Sequence, residues 1–333
     1  AYRYARRALQ LAQALPDAAG TAESHRMVGR FFFEQGAYAR AAESYLQAVE
    51  GYQALEHTRG LAATYTDLGE LYAHTQQPAA AATQYQEARR LYEQLADPAG
   101  RAATLGALGH LREKAGEYDT ALALQREALA LYEQRANRGG VAVIAENLGS
   151  IWEDLARYDS AHHYFHRSLL NHQAVNNQTE TVRLYNNLGD VYRKTGRYEE
   201  ALTYTRRSLA LAEVLGLKYQ EQSAHRDLGK LHRARGDLRA ALDHFETAHQ
   251  LYQDLYSEES AGQMARFQAL FESEQKDRAI ERLELDREIG RLYRVPIRRR
   301  GAALVAVGLP DLQPAAPENQ AEPHPARARP PPS

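Results

Sequence analysis

The chain has 333 residues, with 41 lysines and arginines against 43 aspartates and glutamates and no cysteine. A net charge of −2 argues against a general nucleic-acid binder, and the missing cysteine removes disulfides, thiolate metal sites and a cysteine nucleophile together. No apolar run reaches the ~20 residues of a membrane helix, the N-terminus has no apolar signal core, and the expected home is the cytoplasm.

The chain opens with a helical run, Ala1 to Leu15, and then repeats itself. Gly29, Gly69, Gly109, Gly149, Gly189 and Gly229 stand forty residues apart, each at the end of an apolar-glycine step such as Asn187-Leu188-Gly189. Twelve residues on come Ala41, Ala81, Ala121, Ala161, Ala201 and Ala241, and seven beyond those Ala48, Ala88, Ala128, Ser168, Ser208 and Ala248. Between these small residues sits a bulkier one in most repeats, Tyr45, Tyr85, Phe165 or Phe245, with Gln125 and Thr205 as exceptions. Apolar residues recur at three and four, so each repeat reads as two amphipathic helices, parted by a turn at Gly36, Gly116, Gly196 and Gly236. A glycine inside a helix costs roughly 1 kcal/mol against alanine. Six in one register imply a close helix crossing, which the small residue twelve positions on is expected to receive. Neither helix can bury its stripe alone, so each hairpin must stack on the next.

A helix pair with Leu-Gly, an aromatic three residues later (Phe32, Tyr72, Trp152, Tyr192), Gly-x-Tyr, then alanine, aromatic and alanine resembles the tetratricopeptide (TPR) repeat. The forty-residue period exceeds the common form, and Gln53, Glu93, Glu133, Gln173, Glu213 and Gln253 stand where the family closes with proline. This long form is similar to the arrays of Pins and LGN type adaptors and of bacterial sensory proteins. The resemblance implies an all-α fold, a TPR solenoid built as a right-handed superhelix of antiparallel helix pairs. Residues 1–21 would be the second helix of a truncated leading repeat, and 22–261 six full repeats.

Past the array, 262–295 holds no proline and 14 charged residues among 34, with an apolar seam through Phe267, Phe271, Ile280, Leu283, Leu285, Ile289 and Leu292. It reads as one long helix of coiled-coil character, through which two copies would pair. Nine of the twelve prolines lie at or beyond Pro296 and no aromatic does, so 296–333 reads as a disordered tail. The start in mid-repeat without methionine points to a piece of a longer protein.

In the resembling family the first helices line a concave groove. Carried onto this chain, the groove positions are Asn147 in the fourth repeat, Arg183, Asn186, Asn187, Asp190, Arg193 and Lys194 in the fifth, and Arg226, Asp227, Lys230 and Arg233 in the sixth. Six of these are basic, so the expected partner is a protein or peptide segment with acidic residues facing the guanidinium forks. Asn147 and Asn187 would bond its backbone. The plainer alternative is that these charges solvate the helices or pair with one another. The lysine and asparagine order of the family's chaperone clamp is missing.

No residue set supports catalysis, and no cofactor is expected. His162 and His166 have metal-pair spacing, but alanine or leucine fills the position of His162 in the other repeats, which marks a packing site. Gly139-Gly140, placed in a turn between helices, has no lysine or strand for a phosphate loop. Two functions stay open: an interaction scaffold, and the sensory half of a bacterial signalling protein whose output domain would follow the helix at 262–295.

Overall fold

The computed structural model describes residues 17–257 continuously and the isolated positions 261, 262, 265, 282 and 287. It divides into two compact units, 1–270 and 271–333. In the second only Arg282 and Arg287 are described, both helical, so the tail and most of the predicted long helix lie outside the described residues, as does the helix predicted at 1–15.

The first unit is a run of helices without a strand among the described residues: α1 (Ala18–Glu34), α2 (Tyr38–Ala54), α3 (Thr58–His74), α4 (Pro78–Gln94), α5 (Pro98–Lys114), α6 (Tyr118–Gln134), α7 (Arg138–Asp154), α8 (Tyr158–Ala174), α9 (Gln178–Lys194), α10 (Tyr198–Leu215) and α11 (Lys218–Ala234). A twelfth, α12, is helical from 238 through 257. Each first helix packs on the second helix of its own repeat, and each second helix then meets the first helix of the next. First helices also touch one another, α1 with α3, α5 with α7 and α9 with α11. The predicted boundary at 21 to 22 falls inside α1, which starts at Ala18 because the Asp17 carboxylate accepts from the Gly20 amide and caps it.

The recurrent glycine is the point of closest approach within each hairpin. A Cβ built on Gly29, Gly69, Gly149 or Gly229 would lie 2.5–2.7 Å from ring atoms of Tyr45, Tyr85, Phe165 or Phe245, and on Gly109 it would lie 2.7 Å from Gln125 Nε2. The residue received is therefore sixteen positions on, not the small one at twelve as the sequence suggested. The alanines at twelve and nineteen serve the same crossing by their lack of bulk, and Ala41, Ala81, Ala121, Ala161 and Ala201 are wholly buried. Where serine replaces alanine its hydroxyl is satisfied across the hairpin, Ser168 donating to the Ala142 carbonyl at 2.8 Å and Ser208 to that of Val182 at 2.9 Å.

The ends of the helices repeat at half that interval. Left-handed residues fall at 36, 56, 76, 96, 116, 136, 156, 176, 196, 216 and 236, one every twenty, with φ between +50° and +81°. Each sits just past a helix end, where this conformation lets backbone amides reach back to the last carbonyls. Glycine holds five of them; Glu56, Gln76, Ala96, Ala136, Ala156 and Asn176 hold the rest. The next helix then starts on a side-chain cap before α1, α3, α5, α7 and α9, from Asp17, His57, Asp97, Asn137 and Asn177 to the amide three residues on. Gly139 and Gly140 accordingly lie in the first turn of α7 rather than in the turn before it, with Gly140 packed under the Tyr132 ring.

An L-residue in the left-handed region carries strain of about 1–2 kcal/mol, offset in part by the extra freedom glycine has when unfolded. Ala136→Gly is therefore expected to stabilise the chain by about 0.5–1 kcal/mol in a denaturant or thermal unfolding curve. Gly149→Ala, forced against Phe165, should cost about 1–3 kcal/mol. Gly139→Ala, whose Cβ would meet only Asn137 Oδ1 at 3.6 Å, should be neutral or stabilising by up to about 1 kcal/mol.

Candidate binding face

The first helices present a shared face across which polar side chains link one repeat to the next. At the N-terminal end Arg26 of α1 reaches Asp67 of α3 at 2.9 Å and is braced by Glu23 of its own helix at 3.0 Å. From the fourth repeat onward the links become continuous. Arg183 of α9 pairs with Glu146 of α7 at 2.8 Å and with Glu180 at 2.5 Å. Lys194 bridges Glu153 of α7 at 2.8 Å and Asp190 at 3.0 Å, and Arg193 grips Asp190 at 2.5 Å. Asn186 donates to Asp227 of α11 at 2.6 Å, and Lys230 holds the same carboxylate at 2.6 Å.

The acids lie low and the bases stand above them. The side chains of Asp227 and Glu146 are 8% and 12% exposed, whereas Arg226 and Arg183 are 51% and 54% exposed. Burial pushes the Glu146 and Glu153 carboxyls above their ordinary value, and their pairs with Arg183 and Lys194 only partly reverse this. For Asp190 burial also pushes upward, yet the bonds from Lys194 and Arg193 outweigh it and the net shift is down.

The eleven residues placed in the groove by the sequence thus divide. Arg183, Asn186, Asp190, Arg193, Lys194, Asp227 and Lys230 form the paired network just described, so the plainer expectation of charges satisfying one another accounts for most of them. Arg226 contacts Ser223 Oγ at 3.2 Å and lies 3.9 Å from Asp227, and the Arg233 guanidinium sits 6.0 Å from the Phe245 ring centroid. Asn147 is turned inward, its amide 3.5 Å from Gln125 Oε1 while Gln125 donates to the Gly106 carbonyl. Asn187 is half-buried.

Of the acids that floor the network, Glu146 and Glu153 stand at groove positions the resemblance assigns to the fourth repeat, while Glu180 is one that sequence reasoning missed. Their signal was present: each stands 37 or 41 residues before a cation, or three before one, the spacing of neighbouring first helices or of one helical turn. Trp152 and the tyrosines at repeat positions pack into the core as expected. His162 Nε2 lies 2.8 Å from the Tyr192 hydroxyl and its ring stacks on His166, which makes it a packing and hydrogen-bonding residue of the fourth repeat.

Burial lowers the pKa of His25, His162, His172, His225 and His244. A histidine depressed in the folded chain leaves stability untouched while both states are neutral; once the pH drops through the ordinary histidine value, the unfolded chain takes up the proton first. Stability should therefore fall as pH is lowered from about 8 to about 6, as read by Tm across buffers. The raised carboxyls of Asp67, Glu146 and Glu153 act in the opposite sense, but in the lower, carboxylate range.

Among the described residues no helix is long and apolar enough to cross a membrane. A family model described as tetratricopeptide repeat matches residues 60–134, 140–214 and 180–254, together more than half of the chain. No curated protein matches. Among solved structures the chain is similar to BtubC (BKLC) from P. vanneervenii, with 20% identity over 64% of this chain and 89% of that one and a TM-score of 0.57. It is also similar to a Signal Transduction ATPase with Numerous Domains protein with a tetratricopeptide repeat sensor from Pyrococcus horikoshii, with 14% identity, 73% and 38% coverage and a TM-score of 0.61. A Rap protein complexed with Competence and Sporulation Factor shares 16% identity over 72% and 76% of the two chains, with a TM-score of 0.51. At these identities the likeness is one of fold, and it agrees with the hairpin geometry and the glycine register in a single conclusion: the chain belongs to the tetratricopeptide repeat family.

Proposed function

We propose that this chain is a protein-interaction scaffold whose first-helix face, from the fourth to the sixth repeat, holds an extended or helical segment rich in acidic residues. The observation that carries the reading is the layering of that face. Carboxylates close to the backbone hold a row of cations above them, so the guanidinium groups of Arg183 and Arg226 stand half-exposed on anchored stems. A guanidinium tied down on one edge keeps other N–H donors for an incoming carboxylate, and it loses little side-chain entropy when that carboxylate arrives. Arg193, Lys194 and Lys230 contribute mainly by keeping the floor neutral. The Rap relative complexed with Competence and Sporulation Factor is in keeping with a binding role for the array, as is the family to which the chain belongs.

The test is fluorescence anisotropy at low salt with glutamate- and aspartate-rich peptides set against lysine-inverted versions. The wild-type chain should bind the acidic series. Arg183→Gln with Arg226→Gln should weaken it by about tenfold or more, because a hydrogen bond to a charged group is worth about 1.5–3 kcal/mol. Equal binding of both peptide series, or no loss in the double variant with helicity intact, would contradict the assignment.

A second reading, a sensory array that hands its state to a following element, has its own observation. The second helices α2, α4, α6, α8 and α10 all end at a left-handed residue between positions 56 and 216, whereas α12 is helical through 257, past the corresponding point. A second helix that is still helical past that point can transmit a change in the last repeat. The Pyrococcus relative with a repeat sensor is in keeping with it. If so, the full chain should be dimeric by light scattering and a chain ended at Ser257 monomeric; a monomer in both would remove the support.

A further inference from the structure

The sixth repeat departs from the fifth in one compact place. In the fifth, Tyr185, Tyr192 and Tyr204 form a ring cluster, with centroids 6.1 Å apart for Tyr185 and Tyr204 and 5.3 Å for Tyr192 and Tyr204. Beside it, Gln173 donates to the Tyr185 hydroxyl at 3.1 Å. Forty residues on, all three tyrosines are histidines: His225 and His244 have centroids 5.2 Å apart, and His232 and His244 5.4 Å. Gln173 has become Glu213, and Thr181 has become Glu221. The ring packing is kept while neutral, weakly ligating groups give way to imidazoles and carboxylates.

These exchanges converge on one point. Glu213 at the end of α10, and Glu221 and His225 one turn apart on α11, can each bring a ligand atom within 4.8 Å of the other two. Among the described residues this is the one place where three such side chains do so. Two carboxylates that near each other repel unless a proton or a cation lies between them. His225 Nδ1 lies 3.0 Å from His244 Nδ1; when His225 donates across that contact, its Nε2 carries the free lone pair. This is the arrangement of a metal-ligating histidine held by a partner behind it.

We propose that the junction of the fifth and sixth repeats binds a divalent transition-metal ion of the zinc class, ligated by Glu213, Glu221 and His225, with His244 as the residue that positions His225. An imidazole with two carboxylates suits a borderline cation, and three protein ligands leave a fourth position open to water or to a carboxylate from outside. Bonds of about 2.0–2.2 Å put tetrahedral ligand atoms roughly 3.3 Å apart, so the set has to draw in. Glu213 is exposed and free to make that movement. The ion would tie the end of α10 to α11 across the Gly216 turn and so fix the last repeat against the array. The histidines of the fourth repeat make a poorer site, since His162 is committed to Tyr192 and stacked on His166.

The full chain, stripped with a chelator, is titrated with zinc chloride by calorimetry, with thermal unfolding followed in parallel. The expected result is one ion per chain and a rise in Tm. His225→Tyr and Glu221→Thr restore the residues the fifth repeat carries at these places, so both variants keep the packing; each should bind zinc about tenfold or more weakly while remaining helical. His162→Ala should bind as the wild type does. Absence of binding to the wild-type chain, undiminished binding in His225→Tyr and Glu221→Thr, or loss confined to His162→Ala would overturn the proposal.

Discussion

Everything in this array depends on a ring laid against a bare backbone. In four of six hairpins a phenyl or phenol ring from the second helix covers a glycine of the first so closely that a single methyl group would collide with it. That contact sets the distance between the two helices, and the flanking alanines allow the approach over several turns. Because a lone hairpin buries only one face of each helix, the same geometry must be repeated to close the core. The six copies keep a strict forty-residue register because a slip in any one would turn its glycine away from the side chain sixteen positions on that it receives. In the third and fifth repeats Gln125 and Thr205 take the ring's place. In the third the crossing is kept by a polar contact, Gln125 bonding the Gly106 carbonyl directly; in the fifth the smaller Thr205 is wholly buried against Gly189.

The fold was open to reading because it is written six times. One glycine in one helix carries little weight, while six in register with alanines at twelve and nineteen specify a hairpin and its stacking. What the sequence hid was local. Gly60, Gly100 and Gly140 also keep a forty-residue register, but they lie beside helix caps whose residue types vary, Asp17, His57, Asp97, Asn137 and Asn177, so that layer looks irregular until the amides are located. The left-handed residues are likewise obvious where they are glycine and invisible where they are Ala96, Ala136 or Ala156.

The binding face was legible in position and not in state. Repeat arithmetic put Arg183, Asn186, Arg193 and Lys194 on the first helices, and it could not show that each would find an acid. Pairing depends on how far one first helix stands from the next, a distance that only the stacked array fixes. Such pairs between partly buried groups contribute modestly to stability. Their larger effect is to hold the half-exposed guanidinium groups in place, which links the packing of the array to what it can grip. The histidine cluster of the sixth repeat follows the same logic, with repeat positions conserving shape while the chemistry on them changes.

The claim on which this account stands is that, in the four hairpins that have one, the ring and the glycine act as one unit, and a double-mutant cycle on the fourth repeat measures it directly. Gly149→Ala, Phe165→Leu and the double variant are unfolded in denaturant and compared with the wild type. If the ring fixes the crossing, trimming it gives the new methyl group room, and the two substitutions should be coupled by about 1–3 kcal/mol, the double variant being less damaged than the sum. Additive losses would mean that glycine and ring act independently, and that something other than their contact holds the hairpins at this distance.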